Sequence, residues 1–186
     1  MRILKTILDG VLIIEPTLHY DDRGYFMESF NNKEFNEEIG QEITFVQDNE
    51  SKSSKNVLRG LHFQSPPYAQ SKLVRCVNGA VLDIALDIRN GSPTYGKATS
   101  IILTQDNHTQ FFIPKGFAHG FMALTDGAIF QYKCDEYYHK ESEGGINILD
   151  DSIDIGFDFG NDFILSEKDK LHPLLKDFNS PFTYNQ

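Results

Sequence analysis

Ser71-Lys-Leu-Val-Arg-Cys-Val-Asn-Gly-Ala-Val-Leu-Asp-Ile-Ala-Leu-Asp-Ile-Arg89 decides the class of fold. Asn78-Gly79 stands between two arms rich in apolar and β-branched residues, and Asn-Gly takes the positive φ angles of a type I′ turn at little cost. A hairpin between Ser71–Val77 and Ala80–Arg89 is therefore predicted. On the second arm Leu82, Ile84, Leu86 and Ile88 alternate with Val81, Asp83, Ala85 and Asp87, the period of a strand with one face in a core. Asp83 and Asp87 fall on the opposite face.

Outward from this stretch, Gly10–Ile14, Tyr25–Phe30, Ile43–Val46, Val57–Gln64, Ala98–Leu103, Gln110–Ile113, Gly120–Leu124 and Ala128–Tyr138 read as further strands separated by turn residues. Helix is sparse. Asn32 caps Lys33–Ile39, with Gly40 at its end, and Ser166 opens a second helical turn that Pro173 stops. Asp150 to Gln186 is expected to wrap around the sheet. The reading is a mainly β barrel or jelly roll forming one domain over residues 1–186.

Composition narrows the function classes. At 186 residues, 40% hydrophobic and 24% charged, the chain is sized for one buried core. Its apolar runs fall far short of the roughly 20 residues of a membrane-spanning helix. Asp9 breaks the N-terminal apolar stretch and no small-residue cleavage site follows, so a cytoplasmic location is expected. A net charge of -10 argues against nucleic acid and anionic membrane as partners, so an anionic ligand must be held by local positive charge. Cys76 and Cys134 form neither a metal spacing nor a disulfide framework and read as buried, reduced thiols.

Polar residues stranded in apolar contexts mark the site. They are Glu28, Gln47, Asn49, Arg59, His62, Lys72, His119 and Tyr132, drawn from many strands that a small barrel brings to one interior pocket. Strict alternation puts Arg59 and His62 on opposite faces, unless Gly60 between them marks a bulge. His19, His62, His108, His119, His139 and His172 are isolated and make no His-x-His pair, so no metal is expected. Neither cysteine sits in a nucleophile motif, and there is no Gly-x-Ser-x-Gly turn or Gly-rich phosphate loop. Proton transfer by His and Tyr, with cationic side chains handling anions, remains.

Asp22-Arg-Gly-Tyr-Phe-Met-Glu28, Phe45-Val-Gln-Asp-Asn49, Leu58-Arg-Gly-Leu-His-Phe-Gln64, Gln70-Ser-Lys-Leu-Val-Arg75, Asp87-Ile-Arg-Asn-Gly-Ser-Pro-Thr-Tyr-Gly96, Ile113-Pro-Lys-Gly-Phe-Ala-His-Gly-Phe121 and Tyr132-Lys-Cys occur in order along the chain. From Ile7 to about Leu174 this series resembles the dTDP-4-dehydrorhamnose 3,5-epimerases. The resemblance implies a metal-free, cofactor-free cupin-like jelly roll with a few short helices. It also implies a homodimer that acts on dTDP-4-dehydro-6-deoxy-D-glucose in the route to dTDP-L-rhamnose. Two positions where the family commonly carries tryptophan, in Gly145-Ile-Asn-Ile-Leu-Asp150 and at Phe157, hold none here. That departure bears on packing or sugar-nucleotide preference more than on reaction type.

By this resemblance His62 is the base, Tyr132 the acid, Lys72 the cation near the developing oxyanion and Asp169 the carboxylate that orients the histidine. An imidazole of ordinary pKa about 6.5 accepts protons at neutral pH, and a phenol of about 10 donates them. Ser166-x-x-Asp169 also reads as a capping box, and Asp83 is the other carboxylate available to His62. Arg23, Glu28, Gln47, Asn49, Arg59, His119, Glu143 and Lys168 map onto substrate contacts, with Tyr138, and less strongly Phe26, stacking on the thymine. The segment Gly10–Ile14 or Arg23–Phe26 is expected to reach a neighbouring copy. Epimerisation at C3 or C5 alone, a sugar-binding cupin without activity and a metal-dependent cupin are the alternatives.

Overall fold

Residues 1–184 are described by a computed structural model, and Asn185 and Gln186, the end of the predicted domain and wrapping tail, lie outside them. Among the described residues the strands are β1 Arg2–Lys5, β2 Leu12–Glu15, β3 Leu18–Asp21, β4 Gly24–Met27, β5 Gln47–Ser53, β6 Val57–Gln64 and β7 Lys72–Asn78. They continue as β8 Ala80–Asp87, β9 Ala98–Thr104, β10 Gln110–Ile113, β11 Phe117–Ala123, β12 Ala128–Cys134, β13 Glu143–Gly145 and β14 Ile164–Leu165. Two α-helices, α1 Asn32–Ile39 and α2 Glu167–Lys170, complete the regular structure with two short 3-10 turns. One sheet runs β1-β2-β10-β7-β12-β5, a second runs β13-β6-β11-β8-β9 with β14 beside β6, and β3-β4 stand apart as a hairpin. No helix is long and apolar enough to cross a membrane.

The expected hairpin at Asn78-Gly79 does not form. β7 pairs with β10 and β12 while β8 pairs with β9 and β11, so the chain crosses from one sheet to the other. Gly79 has φ 74° but Asn78 does not take a positive φ, and a type I′ turn needs both. The corner is tied instead to neighbouring loops. Gly79 N–H donates to Gln105 Oε1 at 2.7 Å, Ala80 N–H to Thr125 Oγ1 at 2.9 Å and Asn78 Nδ2 to the Gly127 carbonyl at 2.9 Å.

Crossing sheets buries both faces of β8. Val81 and Ala85 look into the sandwich, where they join Val74, Cys76, Phe111, Phe121 and Phe130. Leu82, Ile84, Leu86 and Ile88 form the outer face, covered by Ile146, Ile148, Ile153, Ile155 and Phe182 of the wrapping C-terminal segment. Ile146 and Ile148, in the stretch lacking the family's tryptophan, are fully buried there, while Phe157 packs beside Phe159 at the surface. Cys76 and Cys134 are buried free thiols. Among the described residues Asp83 and Asp87 are also fully buried, the first inside the sandwich and the second held by Arg89, Ser92 and Thr94.

Local differences from expectation have local causes. The helix begins one residue early, with Asn31 Oδ1 accepting from the Lys33 and Glu34 amides, and ends at Gly40 with φ 68°. Ile43–Val46 is not a strand, because Asn36 on α1 bonds both backbone groups of Ile43 and holds that stretch under the helix. Pairing starts at Gln47, and β5, almost wholly polar, carries no apolar alternation that would reveal it.

A bulge in β6 positions the site. His62 pairs with His119 and Arg59 with Phe121, so three steps on β6 match two on β11. Gly60 sits in this irregularity at φ 112°, and a Cβ there would stand 2.7 Å from Gly120 Cα and from the His119 carbonyl. Gly60→Ala is expected to cost about 2 kcal/mol or more, read as a lowered denaturation midpoint. A wild-type midpoint would mean that the bulge relaxes without loss.

Candidate active site

One end of the sandwich opens into a cavity of about 550 Å³. β6 contributes Arg59 and His62 to its wall, β7 Lys72, β11 His119, β12 Tyr132, β13 Glu143, and α2 Lys168 and Asp169. The bulge explains why Arg59 and His62, three residues apart, share this wall. Phe121 and Phe130, stacked at 4.3 Å between centroids, supply its apolar lining.

His62 and Asp169 form a pair at 2.6 Å between Nε2 and Oδ1. Asp169 is buried, which raises its carboxyl pKa, but His62, the Gly60 amide and the Ser166 hydroxyl outweigh burial and hold it below the usual carboxylate value. An ionised Asp169 is acceptor only, so His62 donates through Nε2 and keeps the lone pair on Nδ1 for a proton. The Ser166 cap is also real, since its Oγ accepts from the Asp169 amide at 3.1 Å. The Asp169 carboxylate then turns to His62 instead of closing the box. Asp83 partners a different histidine, with His119 Nε2 3.0 Å from each of its oxygens. Burial lowers His119 and raises Asp83, and their mutual attraction opposes both shifts.

Lys72 and Tyr132 carry opposite electrostatic signatures. Burial lowers Lys72, opposed by Cys134, Asp83 and Glu143. Burial raises Tyr132, with Cys134 and Glu143 adding to it and Arg59 opposing, so the phenol stays protonated. At the mouth Lys168 Nζ lies 2.6 Å from Glu143 Oε2, and the Tyr138 hydroxyl donates to the same oxygen at 3.0 Å. Gln47 accepts from the Tyr138 amide at 2.9 Å and donates to Asn49 at 2.9 Å, which joins β5 to this rim.

Arg23, Phe26 and Glu28 are not brought to the cavity, and Gln47, Asn49 and Tyr138 stand beside it without lining it, Asn49 lining a neighbouring cavity with Tyr132. Arg23 and Phe26 lie on the β3-β4 hairpin, where Arg23 pairs with Asp21 and Phe26 is 70% exposed beside the exposed Tyr20 and Tyr25. Glu28 follows the hairpin and accepts from Asn31 Nδ2.

Sequence reasoning offered Asp83 to the wrong histidine, since it pairs with His119 and not His62. The residue it missed is His172, whose Nε2 lies 3.6 Å from Asp169 Oδ1 and whose ring meets that of His62 edge-on at 5.6 Å. The spacing Asp169-x-x-His172 was its available signal, because i and i+3 share a side of a helical turn.

Known proteins match this chain over nearly its whole length. The family model described as dTDP-4-dehydrorhamnose 3,5-epimerase matches residues 5–177. The dTDP-4-dehydrorhamnose 3,5-epimerase of Escherichia coli K12 is 53% identical over 170 residues, 91% of this chain and 92% of the relative. The crystal structure of that enzyme from Elizabethkingia anophelis superposes with a TM-score of 0.90 at 49% identity, over 97% of this chain and 99% of the other. The dTDP-6-deoxy-D-glucose-3,5-epimerase of Legionella pneumophila, solved with dTDP-4-keto-L-rhamnose, gives 0.94 at 47% identity, over 100% and 98%. The strand order, the cavity and these matches agree, and the chain belongs to the dTDP-4-dehydrorhamnose 3,5-epimerase family.

Proposed function

We propose that this chain converts dTDP-4-dehydro-6-deoxy-D-glucose to dTDP-4-dehydro-L-rhamnose by inverting C3 and C5, on the way to dTDP-L-rhamnose. The observation that carries the mechanism is the His62–Asp169 pair at 2.6 Å in the same cavity wall as Tyr132 and Lys72. Hydrogens at C3 and C5 are both α to the C4 carbonyl. His62 Nδ1 takes one as a proton, the C–H electron pair moves toward O4, and the Lys72 ammonium stabilises the enolate. Tyr132 returns a proton to the opposite face, and exchange with solvent resets both groups. The chain's own residues supply each step, with no cofactor and no metal.

Asp169 holds the imidazole in its Nε2–H tautomer. Asp169→Asn is expected to lower kcat about ten- to a hundredfold with little change in KM, as loss of an orienting partner does elsewhere. A kcat within twofold of wild type would leave Asp169 only its capping role.

Arg59 and Lys168 provide local positive charge for the diphosphate, together with Gln47, Asn49, His119 and Glu143 as polar contacts. Tyr138 at the mouth stacks on the thymine. Arg23, Phe26 and Glu28 serve the cavity of a second copy, and the exposed apolar hairpin that carries Arg23 and Phe26 is what supports a homodimer. The protein works as one domain in the cytoplasm.

Mixing inactive His62→Ala with an Arg23→Ala/Phe26→Ala variant tests the exchange. The double variant alone is expected to show a KM raised ten- to a hundredfold through lost charged and stacking contacts. Hybrid dimers rebuild one intact site, so the mixture regains wild-type KM. No regain after subunit exchange would place the hairpin at its own cavity or nowhere near one.

The reaction itself is tested by proton NMR in deuterated water with the keto sugar. Loss of both the C3 and C5 signals establishes the double epimerase. Loss of one signal makes it a single-site epimerase, and loss of neither overturns the reading.

A further inference from the structure

We propose that His62, Asp169 and His172 form a binding site for a divalent transition cation of the zinc type, which silences the base when it binds. The second half of this proposal rests on His62 being the base. The three donor atoms, two imidazole nitrogens and one carboxylate oxygen, all lie within 4.8 Å of one another. His172 Nε2 is buried and has no hydrogen-bond partner, although it lies 3.6 Å from the Asp169 oxygen that already serves His62. Buried ring nitrogens are rarely left unpaired, and a cation held jointly with Asp169 would satisfy this one. Gly145 makes room for the ring, since a Cβ there would stand 2.4 Å from the same nitrogen.

The geometry suits the ion. Zinc bonds of about 2.0–2.2 Å in tetrahedral array put neighbouring donors about 3.3 Å apart. The 3.6 Å pair needs almost no change, the 2.6 Å pair opens by less than about 1 Å once a metal replaces the shared proton, and the two imidazole nitrogens, within 4.8 Å of each other, close toward the ion. Two imidazoles and a carboxylate are a donor set that zinc accepts, with further positions left for water.

Silencing follows from the proton count. A neutral imidazole carries one proton, and a metal at Nε2 obliges that proton to sit on Nδ1. Nδ1 is the nitrogen left to take the sugar proton when Nε2 faces Asp169. No proton is lost from the ring and no electron moves, yet the base has no lone pair to offer.

The test uses untagged, chelator-treated protein titrated with Zn²⁺ alone by calorimetry and with Co²⁺ alone by its visible absorption. One equivalent is expected to bind. His172→Ala should weaken binding at least about tenfold, the lower range found for loss of mere outer-shell partners. The same variant, compared with its own metal-free rate, should resist zinc concentrations that inhibit wild type reversibly with EDTA. His172→Gln, checked for a wild-type unfolding midpoint, guards against a packing artefact, and His139→Gln should bind like wild type. Absence of binding, or affinity indifferent to His172, overturns the site. Binding that depends on His172 yet leaves turnover intact upholds the site and overturns His62 as the base.

Discussion

His62→Ala is expected to lower kcat about a thousandfold while the unfolding midpoint stays close to that of wild type. The magnitude is that of losing a positioned general base, about 10²–10⁴. It lies in the middle of that range. Folding should survive, since His62 is a partly exposed wall residue and its strand is held by backbone pairing to β11 and β13. Binding should change little, because the contacts proposed for the diphosphate and thymine come from other residues of the mouth. Deuterium entry at C3 and C5, measured by NMR, should fall together. Added imidazole should restore a fraction of the rate by filling the space the ring vacates. Exchange at either carbon at more than about a tenth of the wild-type rate would assign that carbon's base elsewhere, with the Asp83-paired His119 the next group to examine.

The sequence shows such a site only in part, for physical reasons that differ by residue. Alternation in β8 reveals a strand, because side chains of a buried face must repeat every second residue. It does not reveal that both faces are buried, because the cover for the outer face comes from Ile146–Ile155 and Phe182, far along the chain. Asn78-Gly79 carries a true turn preference, yet tertiary bonds from Gln105 and Thr125 make it a corner between sheets. β5 is invisible to an apolar pattern because Gln47 and Asn49 are polar residues that bond each other and Cys134 within the sandwich rim. Gly60 is legible as a break in regular pairing only because two site residues would otherwise point apart. Asp169 and His172 join His62 across more than a hundred positions of sequence, a separation over which no local spacing speaks. Their meeting depends on β14 pairing with β6, which places α2 over the cavity.

Lys72→Met should lower kcat about 10²–10³-fold with KM nearly unchanged, the scale of removing one preorganised donor from a developing oxyanion. Methionine keeps the length and apolar stem of the side chain, so lost charge and not lost packing is measured. The pH dependence carries a sign. In the proposed mechanism the ammonium is the active form, and burial lowers its pKa below the ordinary 10.5 against the opposing influence of Cys134, Asp83 and Glu143. The rate should therefore fall as pH rises through that lowered value, giving an alkaline limb below the ordinary lysine range. As the proposed acid Tyr132 would also stop working on deprotonation, but burial raises its pKa above the ordinary 10.0. Lys72→Arg separates the two groups, because guanidinium stays charged to above about pH 12. That variant is expected to retain part of the rate and to move the alkaline limb upward to the value set by Tyr132. A limb unmoved by Lys72→Arg but abolished in Tyr132→Phe would assign it to the phenol alone and leave Lys72 a binding cation.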